Sequence, residues 1–161
     1  MQRIYVLSGM PGIGKSTWAK NFQKTRTNMD YVSRDEVRFS LVSEDEPYFS
    51  KEKQVFKTFI NLINASIAAG HDVIVDATHL NKASRRKLLR HLKYDKEKIL
   101  IYLIIFPFDI NLAKKRNLLR KGTRAYVPEN VLEEMANAID SPFLDEDEEF
   151  DILWYLEKEE I

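Results

Sequence analysis

The chain has 161 residues, 44% hydrophobic and 31% charged, the profile of a folded domain long enough to bury a core rather than of a disordered polymer. Cysteine is absent, which excludes a disulfide framework and thiolate metal sites, and no apolar run approaches the ~20 residues of a bilayer span. Net charge is zero but divided: residues 1–125 hold 24 Lys and Arg against 12 Asp and Glu, and residues 126–161 hold 1 against 13. The N-terminus has no basic segment, apolar stretch and cleavage site in succession, so a cytoplasmic location is expected.

In chain order, RIYVLS (3–8) is a short apolar run ending in a glycine-rich turn and predicts a buried strand. TWAKNFQK follows with Trp18 and Phe22 at i, i+4, a helical spacing. MDYVS (29–33) predicts a weaker strand that leads into a helix carrying Asp35 and Arg38. From about residue 49 to 69, Val55, Phe56, Phe59, Ile60, Ile63 and Ile67 recur on one helical stripe, which Gly70 stops. DVIVDA (72–77) predicts a third strand, and a basic helix is expected from Asn81 to about Leu92 with Leu88, Leu89 and Leu92 inward.

KILIYLIIF (98–106) reads as a fully buried strand. A helix is expected over about 109–121, and Pro128 suits the first position of another, behind which Val131, Leu132, Met135, Ala136 and Ile139 form a stripe. DEDEE (145–149) reads as a solvated acidic turn before a last strand, FDILWYL (150–156). Apolar strands alternating with helices imply an α/β three-layer sandwich around a mostly parallel sheet. No repeat or long linker divides the chain, so residues 1–161 form one domain, with a helical lid over about 109–128.

GMPGIGKS, Gly9 to Ser16, fits G-x-x-x-x-G-K-[ST] between a strand and a helix, the context of a P-loop. Gly9, Gly12, Ile13 and Gly14 are expected to turn backbone N–H groups toward phosphate, with Thr17 beside them at the helix start. Lys15 is expected to reach the β- and γ-phosphates and Ser16 to ligate Mg²⁺. A guanine-specific switch wants Asn-Lys-x-Asp; NKAS (81–84) lacks the acid and comes too early. The remaining classes are a phosphoryl transferase and a nucleotide-binding switch or ATPase.

Ligands of open α/β sheets sit beyond the carboxyl ends of the strands. Asp35 lies just past the second strand, as a general base for an acceptor hydroxyl or as half of a surface pair with Arg38 at i, i+3. Asp76 ends the third strand and suits either a Mg²⁺ shell or nearby base, or a capping turn. Arg116 and Arg120 stand at i, i+4 on one expected helix face, where like charges repel; a lid closing on phosphate offsets that cost, and a solvated basic face is the alternative. His79 and His91 lack metal-ligand companions. From Lys82 to Arg124 there are 14 bases and three acids, a candidate polyanion face.

Together GMPGIGKSTWAKNF, SRDEVR, DATHLN followed by RR, and KRNLLRKGTRAYVPENV resemble, over roughly residues 3–139, the 5′-kinase domain of phage-type polynucleotide kinase. The resemblance implies an ATP- and Mg²⁺-dependent kinase acting on a 5′-hydroxyl of RNA or DNA. It implies Asp35 as base, Arg38 as clamp on an acceptor phosphate, Asp76 as support for the acceptor site or metal, and Arg116 and Arg120 as lid arginines. This chain departs from the pattern with Lys121 ahead of Gly122, with Tyr126, and with His79 where the family has Asn. The phage enzyme's phosphatase domain has no counterpart in these residues, so 3′-end healing is not expected of this chain. A kinase of nucleosides or other small alcohols with the same donor site is the alternative acceptor reading.

Overall fold

The structure is a computed structural model that describes residues 1–140 and 149–161. Its strands are Gln2–Ser8 (β1), Met29–Ser33 (β2), Asp72–Asp76 (β3), Ile99–Ile105 (β4) and Ile152–Tyr155 (β5). Its helices are Lys15–Gln23 (α1), Arg34–Leu41 (α2), Glu52–Ala68 (α3), Lys82–His91 (α4), Ile110–Leu118 (α5) and Glu129–Asn137 (α6). The sheet runs β2-β3-β1-β4-β5, and every pairing is parallel. Parallel strands need crossovers, which the helices supply, and all the strands' carboxyl ends therefore emerge along one edge.

Alternation along β1 divides the core into two layers. Ile4 and Val6 point to one face, where Val73, Val75, Ile101 and Leu103 join Val55, Phe59 and Ile63 of α3 and Leu88 of α4. Tyr5 and Leu7 point to the other, against Ala19 of α1, with Trp18, Phe22, Leu112 and Trp154 packed around them. Each fully buried aliphatic side chain contributes about 1.5–3 kcal/mol, so the central strand anchors both layers. A smaller cluster of Met10, Leu80, Ala113 and Leu132 seats α5 and α6 beside the P-loop.

Three expectations change. β4 is buried at Ile99, Ile101, Leu103 and Ile104 but only half-buried at Leu100 and Tyr102 on one face and at Ile105 on the other, beside the short edge strand β5, which pairs only with Tyr102–Ile105. Pro128 is the N-cap of α6, one residue before its expected place. The lid helix ends at Leu118, so Arg120 lies in the following turn and shares no helix face with Arg116. The cause is buried Asn117, whose amide donates to the Val127 carbonyl at 2.6 Å and whose carbonyl accepts from Val127 N–H at 3.0 Å. Those bonds fold the chain back and leave room only for tight turn bonds, Arg120 N–H to Asn117 O and Lys121 N–H to Leu118 O. The acidic run at 145–149 lies outside the described residues except for Glu149.

Candidate active site

The P-loop links β1 to α1 through backbone that only glycine adopts without strain. Gly14, with φ +108°, precedes the first residue of α1, and a Cβ on Gly9 would lie 2.9 Å from that of Phe106. Lys15 is 9% exposed, and its ammonium donates to the carbonyls of Gly9 and Met10, both at 2.9 Å. Burial lowers its pKa, opposed by Asp76 and Asp35, while Arg120 pushes the same way as burial. Thr17, in the first turn of α1, lies beside a cavity of about 800 Å³ that is also lined by Gly12, Gly14, Trp18, Arg116, Leu119, Arg120 and Ile161. Trp18 stacks on Phe22 with ring centres 4.9 Å apart, both lining this cavity, and meets Trp154 edge-on at 5.6 Å behind them.

Asp76 ends β3 at 5% exposure. Its Oδ2 accepts from Ser16 Oγ at 3.1 Å and from Tyr31 Oη at 2.5 Å. Burial raises its pKa against the pull of Lys15, Tyr31 and Ser16. Burial and then Asp76 likewise raise the pKa of Tyr31, which keeps the phenol protonated and donating. Hydroxyl and carboxylate oxygens side by side at a P-loop suit Mg²⁺, a hard cation that takes few protein ligands and retains water and phosphate oxygens. The described residues contain no group of three or more His, Cys, Asp or Glu that could hold a metal.

Asp35 and Arg38 share α2, whose N-cap Ser33 accepts from Glu36 N–H at 3.2 Å. Asp35's side chain is 64% exposed and Arg38's only 7%. The guanidinium donates to Asp35 Oδ1 at 2.6 Å and in fork fashion to Glu52, at 2.6 Å from Nε and 3.0 Å from its second terminal nitrogen. Tyr48 Oη accepts from Arg38 and donates to Asp35 Oδ1, both at 3.1 Å. Burial disfavours the Arg38 charge, but Glu52, Tyr48 and Asp35 outweigh it and raise its pKa. The guanidinium expected to face an acceptor phosphate thus directs its donors at carboxylates. Glu52 also accepts from Arg34 at 3.2 Å, and burial of Glu52 is outweighed by Arg38 and Arg34, which hold its pKa down.

A second cavity, of about 200 Å³, brings Lys15, Asp35, Arg38, Asp76 and Arg120 together, with His79, Phe56 and Lys87 in its wall. Arg120 lines both cavities and so stands at their junction. Arg116 lines the larger one alone and donates to the Ile13 carbonyl at 2.8 Å, docking the lid on the P-loop. Arg124 closes the lid's far end onto α2, donating to the carbonyls of Val42 and Phe39 with its guanidinium 4.9 Å from the Phe39 ring centre. His79 is buried at φ +43° with Nδ1 2.8 Å from the Leu7 carbonyl. Burial lowers its pKa to about 4, so the neutral ring donates to Leu7. Glu52, Tyr48 and Tyr31 escape sequence reasoning. Tyr31 alternates with Val32 on β2 as any strand residue does, and Glu52 opens a helix eleven residues after α2 ends.

A parallel sheet of this order, a phosphate loop after its central strand and carboxylates past β2 and β3 define the P-loop kinase class. The chain belongs to the family described as "AAA domain", whose model matches residues 4–142. Among characterised proteins it is similar to an L-seryl-tRNA(Sec) kinase from Methanococcus maripaludis, 31% identical over 144 residues, 86% of this chain and 53% of the relative. The chain thus spans about half the length of that relative. Among solved structures it is similar to a chain of the Pnkp1/Rnl/Hen1 RNA repair complex, with TM-score 0.70 and 25% identity over 85% of this chain and 43% of that one. A fungal RNA kinase shares the fold at TM-score 0.65 and 14% identity, over 97% of this chain and 74% of that one.

Proposed function

We propose that this chain is an ATP-dependent kinase that transfers the γ-phosphoryl group to a hydroxyl carried by RNA, first of all the 5′-hydroxyl of a polynucleotide end. The observation that carries the reading is the exposed Asp35 carboxylate, fixed by Arg38 and Tyr48 and opening into the cavity that holds Lys15, Asp76 and Arg120. A carboxylate so held is a base without freedom to turn away from its substrate.

The acceptor oxygen attacks the γ-phosphorus in line, the bond from that phosphorus to the β–γ bridging oxygen breaks, and the hydroxyl proton passes to Asp35 Oδ. The P-loop N–H groups and Lys15 hold the donor phosphates, and Arg120 stands where charge builds on the transferring group. Arg116 keeps the lid against the loop. Ser16 and Asp76 would hold Mg²⁺, which when bound would supply charge neutralisation on the phosphate oxygens. Arg38 acts through Asp35 as a positioning residue, since its donors are already engaged.

A second reading places the acceptor hydroxyl on an aminoacyl group borne by tRNA, favoured by the 31% identity to the seryl-tRNA(Sec) kinase. γ-Labelled ATP supplied with 5′-OH RNA, 5′-OH DNA, seryl-tRNA, mononucleosides and small alcohols separates the readings. Label at an RNA 5′ end is the expected result, and label on the aminoacyl group selects the second reading. Label only in a small alcohol, or only as free phosphate, overturns both.

A further inference from the structure

If the acceptor is a strand of RNA, as proposed above, its phosphates need cations, and the cavity offers few. Arg38 and Arg34 are held by Glu52 and Asp35, and Arg124 by backbone carbonyls. Lys114 of the lid is paired with Glu129 at 3.3 Å and Glu133 at 2.9 Å. The basic character of residues 82–124 is thus partly neutralised on the lid side.

The outer side of α3 and α4 is different. α3 contains one acid, the engaged Glu52, and α4 contains none. Lys53, Lys57, Lys87, Arg90 and Lys93 are exposed and form no ion pair with the described residues. The helices are joined side by side: Asn64 donates to the His91 carbonyl at 3.1 Å and accepts from Lys93 N–H at 2.8 Å, and Phe56 meets His91 edge-on at 5.2 Å. Lys87 belongs both to this surface and to the small cavity, its ammonium 4.3 Å from the Phe56 ring centre. Arg90 follows it at i+3 on the same helix face, and Lys53 precedes Phe56 by three. The surface therefore begins at the mouth of the cavity that holds Asp35 and runs outward along two helices. It stops short of β4, where Lys96 is paired with Glu149 at 2.8 Å.

We infer that the α3–α4 face, entered at Lys87 and continued by Lys53, Lys57, Arg90 and Lys93, is the track for the phosphodiester backbone of the acceptor RNA downstream of the reacting hydroxyl. Charge complementarity to a single strand is the basis. Side chains that contact only phosphate position a strand without reading its sequence. Binding along such a track weakens as salt rises, by about 0.7 in log–log slope per phosphate neutralised on a single strand.

The test is the double variant K53E/R90E of the full chain, whose two positions lie outside the cavity wall. Fluorescence anisotropy with a 3′-labelled 5′-OH dodecanucleotide reads binding independently of turnover. The expected result is Kd for the RNA raised about tenfold and a salt slope shallower by about 1.4, the share of two lost contacts. The KM for ATP and for a 5′-OH dinucleotide stays at the wild-type value. Restoration of binding by K53R/R90K and an unchanged melting temperature separate charge from misfolding. Equal Kd and slope in variant and wild type overturn the track, as does absence of salt-dependent RNA binding by the wild type. Salt-dependent binding lost in the variant upholds the track even if labelled phosphate reaches no RNA end, in which case the kinase reading alone falls.

Discussion

Asp35 is mostly in water while Arg38, one helical turn on, is almost wholly buried, and the difference separates their work. A carboxylate free on one edge and hydrogen-bonded on the other accepts a proton from a defined direction. Asp35→Asn keeps the shape and the Tyr48 contact but removes the base. We expect kcat for phosphoryl transfer to fall ~10²–10⁴-fold with ATP affinity within about twofold of wild type. Equal loss of ATP binding in calorimetry would remove Asp35 from the base role. His79 gives a pH signature of its own. Its folded pKa, about 4, lies below the ordinary value of 6.5, because burial and then Arg34, Lys15 and Arg85 disfavour the charge against the Leu7 carbonyl. The unfolded chain therefore takes up a proton first, and stability present above pH 6.5 is lost as pH falls toward 4. The loss amounts to about 3 kcal/mol. Urea titrations at several pH values check it: His79→Asn, in which Asn tolerates the left-handed backbone, flattens the dependence over that window.

At the scale of elements, α2 is the part that aims the proposed base, and its first turn hangs on Ser33. Ser33→Ala removes the acceptor for Glu36 N–H and is expected to cost about 1 kcal/mol in denaturant unfolding. Turnover falls as well, because Asp35 is the second residue of that turn; unchanged turnover would mean that Arg38 and Tyr48 alone hold it. The strands were legible because each is an apolar run bounded by turn residues, and the P-loop lysine and the strand-end acids were legible because parallel topology fixes where such ends gather. The end of α5 was not. Its local pattern continues through Arg120, and what stops it is the bond from Asn117 to Val127, ten residues away. Glu52 was hidden for the same reason, since its pairing with Arg38 depends on α3 lying against α2 rather than on any spacing.

Over the whole molecule, the proposed donor site joins parts that are distant in sequence: the P-loop, the lid turn at Arg120 and the segment ending at Ile161 all line one cavity. A ligand that bridges them stabilises the fold by mass action, about 2.7 kcal/mol at a hundredfold excess over Kd. For a chain of this size that raises the melting temperature by roughly 5–10 °C. Lys15→Met is expected to abolish most of the shift. Its nucleotide-free melting temperature stays equal or rises, since a buried ammonium is replaced by an apolar side chain of similar length. A full ATP-dependent shift in that variant would remove Lys15 from the phosphate site. Exposed Lys53, Lys57, Lys87, Arg90 and Lys93 lie on the α3–α4 side, so on the proposed reading donor and acceptor approach by different faces of one sheet edge.

The chain has two tryptophans: Trp18 lines the larger cavity, and Trp154 packs edge-on against Trp18. Intrinsic emission excited at the indole band is therefore a gauge of one compartment only. On the proposed reading, nucleotide entering beside Trp18 alters it directly, whereas an acceptor meeting Asp35 lies across the junction at Arg120. The molecule carries its own optical channel for donor occupancy, against which acceptor binding and turnover can be read without attaching a dye to the protein.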